Sequence, residues 1–510
     1  MKRSLGIVVA LLLALVIMSS ALVFASTDTI TALLPFRPNT PFGAYLGQVF
    51  NLFEQTHPGV KVKWISGGSW GDYIKKLGTM LGARQGPDVA YGNANYLFVP
   101  GRGAGLASAD SLTIPDKYFT KDERLGMGAA VIGSLSIPGR GIVVWPWHLY
   151  IGGISTMIAN EDMLREAGFD PNNIRKNGWT TKQFLELGSK VVKDLNGDGK
   201  PDRWLFYPVN SDHMRIGIFP IYLSKKRPLE EQWTLDYFFD TRTGKLKDPE
   251  LLHQAFQYLY DLVHKYKYAP AAAVSKSMGD ASDAFLRGEL AFVANGPDYL
   301  STVKEHNRLV LEGLRKGKVI HAGVIPMPYL DAPDHEAIRP GLAVYGFYNF
   351  KQNPYKGDEH TKHVMEFCDF ITNITFQPIL AAEGFMSPDR RLFATRYAMA
   401  ANLYNTNDPS IRYWLNDMRN NALPSFSQYA CVGFTKAFRD AKGKWFGDSF
   451  IPALEGMIAG KLSADEAFNR VKVAAEKLPY PRVNKDKLPA IIKSINQLVE
   501  EEKEESKMFK

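Results

Sequence analysis

Residues 46–64 read LGQVFNLFEQTHPGVKVKW, and the two halves obey different periods. Leu46, Val49, Phe50 and Phe53 fall at i, i+3, i+4 and i+7, which gathers one apolar stripe on a helix. His57-Pro58-Gly59 stops that helix, because proline has no N–H to donate and glycine accepts the turn. Val60-Lys61-Val62-Lys63-Trp64 then alternates apolar with polar, the period of a strand with one buried face. A helix that hands over to a strand through one tight turn is half of a βαβ unit.

Working outward, residues 29–36 supply the preceding strand, with Ile30, Ala32 and Leu34 on one face and a loop marked by Pro35, Pro38 and Pro41. On the other side a second helix is expected over residues 73–83 and a third strand over 87–91. Alternating strands and helices predict an α/β fold, a parallel sheet covered by helices. Residues 141–147 form another apolar strand. Asn160 is a helix cap and Gly168 a stop, while Thr180 and Gln183 fit a capping box ahead of Phe184, Leu187 and Val191. Residues 281–287 read as a helix, Gly288 breaks it, and 290–294 return as a strand into Asn295-Gly296-Pro297. The C-terminal third is mostly helical. Its last stripe is Ile491, Ile492, Ile495, Leu498 and Val499, followed by a charged tail over 500–510.

The N-terminal residues set the compartment. Lys2 and Arg3 precede an apolar run over 5–17 and then small residues, the pattern of a secretory signal peptide over residues 1–25. Cleavage is expected after Val23-Phe24-Ala25, with Ser19-Ser20-Ala21 as the competing site, so the exported chain starts near Ser26. The other reading is a retained anchor, since 5–24 has about the length that spans a bilayer. No cysteine follows the apolar run, which excludes a lipoprotein. Either way the folded part is expected in the periplasm or outside the cell.

The chain has 510 residues, 45% apolar and 22% charged, an ordinary globular composition for more than one domain. Its formal net charge of +8 falls by two when Lys2 and Arg3 leave with the signal. Charges of both signs alternate without a long basic block, so there is no nucleic-acid footprint, although a mildly anionic ligand stays open. Cys368 and Cys431 are the two cysteines, so the core rather than a disulfide framework holds the fold. Whether they pair or stay buried is open.

Several stretches, in this order, resemble the extracellular solute-binding proteins, the family that includes the maltose-binding and alginate-oligosaccharide-binding proteins. They are FNLFEQTHPGVKV (50–62), GPDVAY (86–91), WPW (145–147), IANEDML (158–164), WTTKQF (179–184), DGKPD (198–202), FLRGELAF (285–292) running into NGP (295–297), EFCDFIT (366–372) and GKLSADEAF (460–468). The resemblance spans nearly the whole exported chain. It implies a two-lobed periplasmic-binding-protein fold of type II, with discontinuous lobes, a hinge and an interlobe ligand cleft. By analogy the chain crosses near 143–147, 293–296 and 345–347, giving an N-terminal lobe of 26–144 with 296–345 and a C-terminal lobe of 145–295 with 346–510. It also implies a role: capture of a carbohydrate, an oligosaccharide above all, as a monomer, and delivery to the permease subunits of an ABC importer. No catalysis and no cofactor are implied. The length in excess of many relatives lies largely after Ala394, where Trp414 and Trp445 stand.

A sugar offers apolar C–H faces and a rim of hydroxyls, so its site needs aromatic plates with polar side chains in a concave pocket. Loops at strand ends supply both. The candidates are Phe36 and Arg37 after the first strand, Trp70 and Tyr73 after the second, and Asn93, Asn95 and Tyr96 after the third. Trp147, His148 and Tyr150 stand at the first crossover. Tyr345 stands at the third, flanked by Tyr348. Asp298 and Tyr299 follow Gly-Pro, where relatives have an aromatic; Asp298 replaces the commoner tryptophan. Against this, any one aromatic can simply fill a core, and His148 can serve a backbone group.

Residues 194–202 place Asp194, Asn196, Asp198 and Asp202 at positions 1, 3, 5 and 9 of a calcium loop, with Gly199 at the turn and Lys200 offering its carbonyl. A structural Ca2+ is one reading. Leu205 stands where the bidentate Glu of an EF-hand belongs, and Arg203 where alginate-binding relatives have an acid, so a metal-free polar turn is the other.

Two motifs match by spelling only. Gly67-Gly68-Ser69-Trp70-Gly71 is a G-x-S-x-G, yet too few strands precede it and no oxyanion loop occurs. Residues 101–105 (GRGAG) lack the Lys-Ser/Thr of a phosphate loop. A secreted glycosidase or lyase is the competing class, with no carboxylate pair fixed by the sequence. Peptide, polyamine or glycerol phosphodiester are the competing cargoes.

Overall fold

The computed structural model describes residues 27–36, 38, 41–68, 70–93, 112–137, 141–151, 155–209, 212–227, 236–296, 299–338, 341–373, 387–388, 409–413, 423–424 and 433–508. The signal-peptide reading over 1–25 lies outside them. The chain divides into two compact units, Met1–Tyr91 with Tyr348–Ile371, and Gly92–Phe347 with Thr372–Lys510.

The first unit is the βαβ arrangement expected from the opening stretch. Strand β1 (Asp28–Leu34) lies between β2 (Val60–Ser66) and β3 (Val89–Asn93) and pairs in parallel with both. Asp28 stands opposite Val60, Leu34 opposite Ser66, and Ala32 opposite Val89. Helices α1 (Pro41–Thr56) and α2 (Trp70–Gly82) make the connections. The α1 stripe of Leu46, Val49, Phe50 and Phe53 is buried, and Phe50 meets Trp64 of β2 edge-on at 5.5 Å. At the turn, Val60 N donates to His57 O at 3.0 Å while Gly59 takes φ 91°, a conformation that costs glycine alone nothing.

The second unit begins its described part at Leu112. The apolar stretch 141–147 divides into a short hairpin strand, Gly141–Ile142, and β4 (Trp145–Ile151). Next comes β5 (Thr156–Asn160), with Asn160 capping the following helix by accepting from Met163 N. Helix α3 (Thr181–Val191) opens on the expected capping box between Thr180 and Gln183. Helix α4 (Pro249–Tyr260), β6 (Phe292–Val293), α5 (Tyr299–Leu311) and β7 (Ala322–Pro326) follow.

In this unit β5 pairs antiparallel with both β7 and β6, so the parallel pairing expected from alternation holds for the first unit and not for this sheet. Element order does not encode direction when a long excursion separates partners: β6 enters beside β5 only after more than a hundred residues have packed elsewhere. Trp179 sits under the sheet with its indole N–H donating to Pro326 O at 2.9 Å, and Phe184 stacks on Phe292 at 5.5 Å. A large-to-small change at such a ring costs about 3–5 kcal/mol.

Strand β8 (Gly341–Phe350) carries the chain from the second unit into the first. Its first part pairs antiparallel with β4, with a register shift between Tyr345 and Gly346. A Cβ on Gly346 would collide with the Trp145 carbonyl, so the shift requires glycine. Residues 345–347 end where the chain passes between the units, whereas 143–147 and 293–296 lie within the second.

In the first unit α6 (Asp358–Thr372) then packs Phe367 against Phe50 at 5.3 Å and Phe53 at 5.1 Å. Cys368 of α6 is buried, its sulfur accepting from Asn349 Nδ2 at 3.1 Å, while Cys431 lies outside the described residues. Back in the second unit, α7 (Ala464–Glu476) packs on α4, and α8 (Leu488–Met508) on the helix Lys121–Leu135. Among the described residues no helix is long and apolar enough to cross a membrane.

Candidate functional site

In parallel α/β sheets the loops leaving the carboxyl ends of the strands are where a chain can reach a ligand. In the first unit these ends are tied together. Gly67 N donates to Leu34 O at 2.7 Å, and Ser66 Oγ donates to Phe36 O at 2.9 Å, joining the loops after β1 and β2. Phe36 is half-buried and meets Tyr91 of β3 edge-on at 5.1 Å. Tyr73 donates its hydroxyl to Tyr91 O and is fully buried, which pushes its phenol well above the usual range. Gly67 is required, since a Cβ there would lie 2.6 Å from Tyr73 Cβ. Tyr73 therefore supports the loops from beneath. Trp70 opens α2 and Asn93 ends β3, their side chains outside the described residues, as are Arg37, Asn95, Tyr96 and Ser69.

In the second unit, β4 and β8 bring Trp147 and His148 onto Phe347 and Tyr345. Trp147 is buried with its ring 5.0 Å from Phe347. His148 is buried too, stacked on Tyr345 at 5.3 Å and 2°. Burial lowers the His148 pKa to about 3, against a weak opposing contact with Leu149 O, so the ring is neutral at ordinary pH. Tyr345 is half-buried. The side chains of Tyr150 and Asp298 lie outside the described residues. Tyr348, in the first unit, is fully buried.

Tyr299 is the first residue of α5. Its hydroxyl donates to Ser282 O at 2.9 Å, its ring meets Phe285 edge-on at 6.0 Å, and 8% of it is exposed. The exit from β6, at Ala294, is fixed by residues that sequence reasoning missed. Asp212 accepts from Ala294 N at 3.3 Å and Arg215 donates to Ala294 O, so both polar groups of the residue after β6 are taken by one segment. That segment runs into a π-helical turn, His213–Ile218, a form often found at functional sites. No periodicity marks it, because its partner is about eighty residues away in the chain.

The loop 194–202 is held by its own acids. Asp194 accepts from the N–H groups of Asn196, Gly197 and Gly199, which keeps its carboxyl below the usual range. Asp202 accepts from Leu195 N at 2.7 Å and from the amide of Asn196 at 3.1 Å, and Asp198 accepts from Lys200 N at 2.8 Å. Among the described residues no three acidic, histidine or cysteine side chains converge as metal ligands would. As arranged, these carboxylates close a polar turn through hydrogen bonds to its own backbone and to the Asn196 amide.

Against known proteins, residues 38–375 match the model of the bacterial extracellular solute-binding proteins, about two thirds of the chain. The chain belongs to this family. Solved structures agree at the level of fold. A maltose/maltodextrin-binding domain from Bdellovibrio bacteriovorus bound to maltotriose superposes with a TM-score of 0.62 at 15% identity, covering 88% of this chain and 99% of that one. A maltose-bound protein of T. maritima gives 0.60 at 18% identity, covering 88% and 100%. A solute-binding protein from Thermotoga Lettingae bound with α-D-tagatose gives 0.60 at 16% identity, covering 88% and 98%. As a member of the family, the chain is an extracellular solute-binding protein with a two-lobed periplasmic-binding-protein fold, its kin being binding proteins rather than enzymes. The family also implies a location outside the cytoplasm.

Proposed function

We propose that this protein captures an oligosaccharide and delivers it, chemically intact, to the permease of an ABC importer. The observation that carries the reading is the family match together with similarity over 88% of the chain to sugar-bound structures. The local geometry supports it: half-buried Phe36 sits on the loop after β1, whose neighbouring loop is backed by Tyr73, and half-buried Tyr345 sits within β8 with its ring stacked on buried His148. Trp70, at the start of α2, is the further stacking plate. A ring held rigidly loses little entropy when a sugar stacks on it. Ligand would favour a closed arrangement of the two lobes over an open one, the chain segments between them absorbing the rotation.

Isothermal titration against linear oligosaccharides, with maltotriose and a mannotriose as first probes, tests the reading. Micromolar or tighter binding is expected, with the sugar recovered uncleaved after prolonged incubation and the radius of gyration reduced on saturation. Cleaved sugar would move the protein to the glycosidase or lyase class. Binding of peptides or polyamines but no glycan would change the cargo.

A further inference from the structure

The end of α5 and the turn after it form an exposed tip. Gly313 N donates to Val310 O at 3.1 Å and Leu314 N to Leu309 O at 2.8 Å, with Gly313 at φ 70°, so the helix closes in a Schellman turn. Every residue over 311–318 (LEGLRKGK) is exposed. Leu311 is 76% exposed and Leu314 71%, the two most exposed large apolar side chains among the described residues. The turn is stiff: buried His306 contacts Lys318 O through Nε2 at 3.0 Å and Arg315 through Nδ1 at 3.3 Å.

The charges around the leucines are unbalanced. Arg308 closes on Glu305 at 2.8 Å and Glu312 at 2.5 Å, and over residues 304–318 five cationic side chains stand against these two acids. Lys304, Arg315, Lys316 and Lys318 enter no ion pair with the described residues. Lys304, Arg308 and Leu311 follow at i, i+4 and i+7, so the cationic stripe of α5 runs into the leucines.

Two leucines held in water by a rigid turn gain nothing in the folded chain. Beside cations in excess of the acids they match an anionic lipid surface, which offers phosphates to the lysines and an acyl boundary to the leucines. We propose that the tip 311–318 docks this protein on anionic membranes, Leu311 and Leu314 entering the headgroup region and Arg315, Lys316 and Lys318 pairing with lipid phosphates. The proposal uses the extracytoplasmic location that the family implies and is independent of the cargo.

Flotation of the exported protein with two kinds of vesicle tests it: phosphatidylcholine alone, and phosphatidylcholine with phosphatidylglycerol in equal parts. Binding is expected to the anionic vesicles, weakening as salt screens the cations. The doubles Leu311→Ser/Leu314→Ser and Lys316→Glu/Lys318→Glu should each lower the bound fraction by about tenfold while melting is unchanged. Wild type and variants share one N-terminus, so their ratio reads the tip alone. Three results would overturn the proposal. They are no preference for anionic vesicles, a leucine double that binds like wild type, which would mark a polyanion site without lipid insertion, and a tip that cross-links to a protein while vesicles are ignored.

Discussion

His360 on α6 reaches Asp28 at the start of β1 through Nδ1, at 2.5 Å, and through Nε2 lies 3.1 Å from buried Asp88. Both ring nitrogens face carboxylates, an arrangement that favours the protonated, doubly donating imidazole. The second Asp28 oxygen meets His363 Nδ1 at 2.7 Å, and Asp88 also accepts from Thr31 N, Thr31 Oγ1 and Lys356. Glu359 stands 3.4 Å from the far side of His363. The network ties α6 to the beginnings of β1 and β3. Burial opposes charge on His360, but its bonds to Asp88 and Asp28 outweigh that and raise its pKa. Burial likewise opposes charge on Asp88, yet the bonds from His360, Thr31 and Lys356 bring it down to about 2.

The sign of the pH dependence follows. A raised histidine gives stability that is complete below its unfolded pKa of about 6.5 and lost as pH rises through the folded value. The lowered Asp28 and Asp88 give stability that is complete above an unfolded value near 4 and lost as pH falls through their folded values. The contribution of this network should therefore be greatest between about pH 4 and 6.5 and decline on the alkaline side. Buried neutral His148 acts with the opposite sign and loses stability as pH falls below about 6.5, so the network is read from the difference between wild type and a His360 variant. His360→Gln should cost about 1–3 kcal/mol at pH 6 and flatten that decline. Identical slopes in wild type and variant would contradict the assignment.

This network could not be read from the sequence, because Asp28, Asp88 and His360 are separated by dozens to hundreds of residues and none breaks a local pattern. Local chemistry was legible. The Thr180–Gln183 capping box, the Asn160 cap and the His57-Pro58-Gly59 turn all form where the spelling places them, since each involves residues within one turn of helix. The candidate site was legible only in part. Tyr73 and Trp147 carry the residue types of sugar plates, but their burial depends on Tyr91 and on Phe347, partners that pattern cannot name.

Gly346 gives a second prediction. Because the Trp145 carbonyl occupies the space of its absent Cβ, Gly346→Ala must displace β4 or β8. A loss of about 1–3 kcal/mol is expected in urea unfolding, at unchanged m-value. A neutral outcome would mean that the register shift can relax.

The loop 194–202 gives a third. Since the oxygens of Asp194 are taken by backbone N–H groups and those of Asp202 by backbone N–H groups and the Asn196 amide, EDTA should leave the melting temperature unchanged, whereas Asp194→Ala should lower it through loss of three backbone bonds. A fall on chelation that calcium restores would show that the loop rearranges around a cation.

Ligand affinity gives the last. If Trp70 and Tyr345 stack on the sugar as proposed, Trp70→Ala and Tyr345→Ala should each weaken oligosaccharide binding by about 1–3 kcal/mol, roughly 5- to 150-fold in Kd. Trp147→Ala should act differently. Its ring is enclosed against Phe347, so the variant should lose about 3–5 kcal/mol of stability, and binding should fall only as far as the folded fraction falls. Titration calorimetry beside thermal melts separates the two classes. Affinity lost in Trp147→Ala at full folding, with Trp70→Ala and Tyr345→Ala like wild type, would place the sugar against Trp147 of β4 instead of against Trp70 and Tyr345.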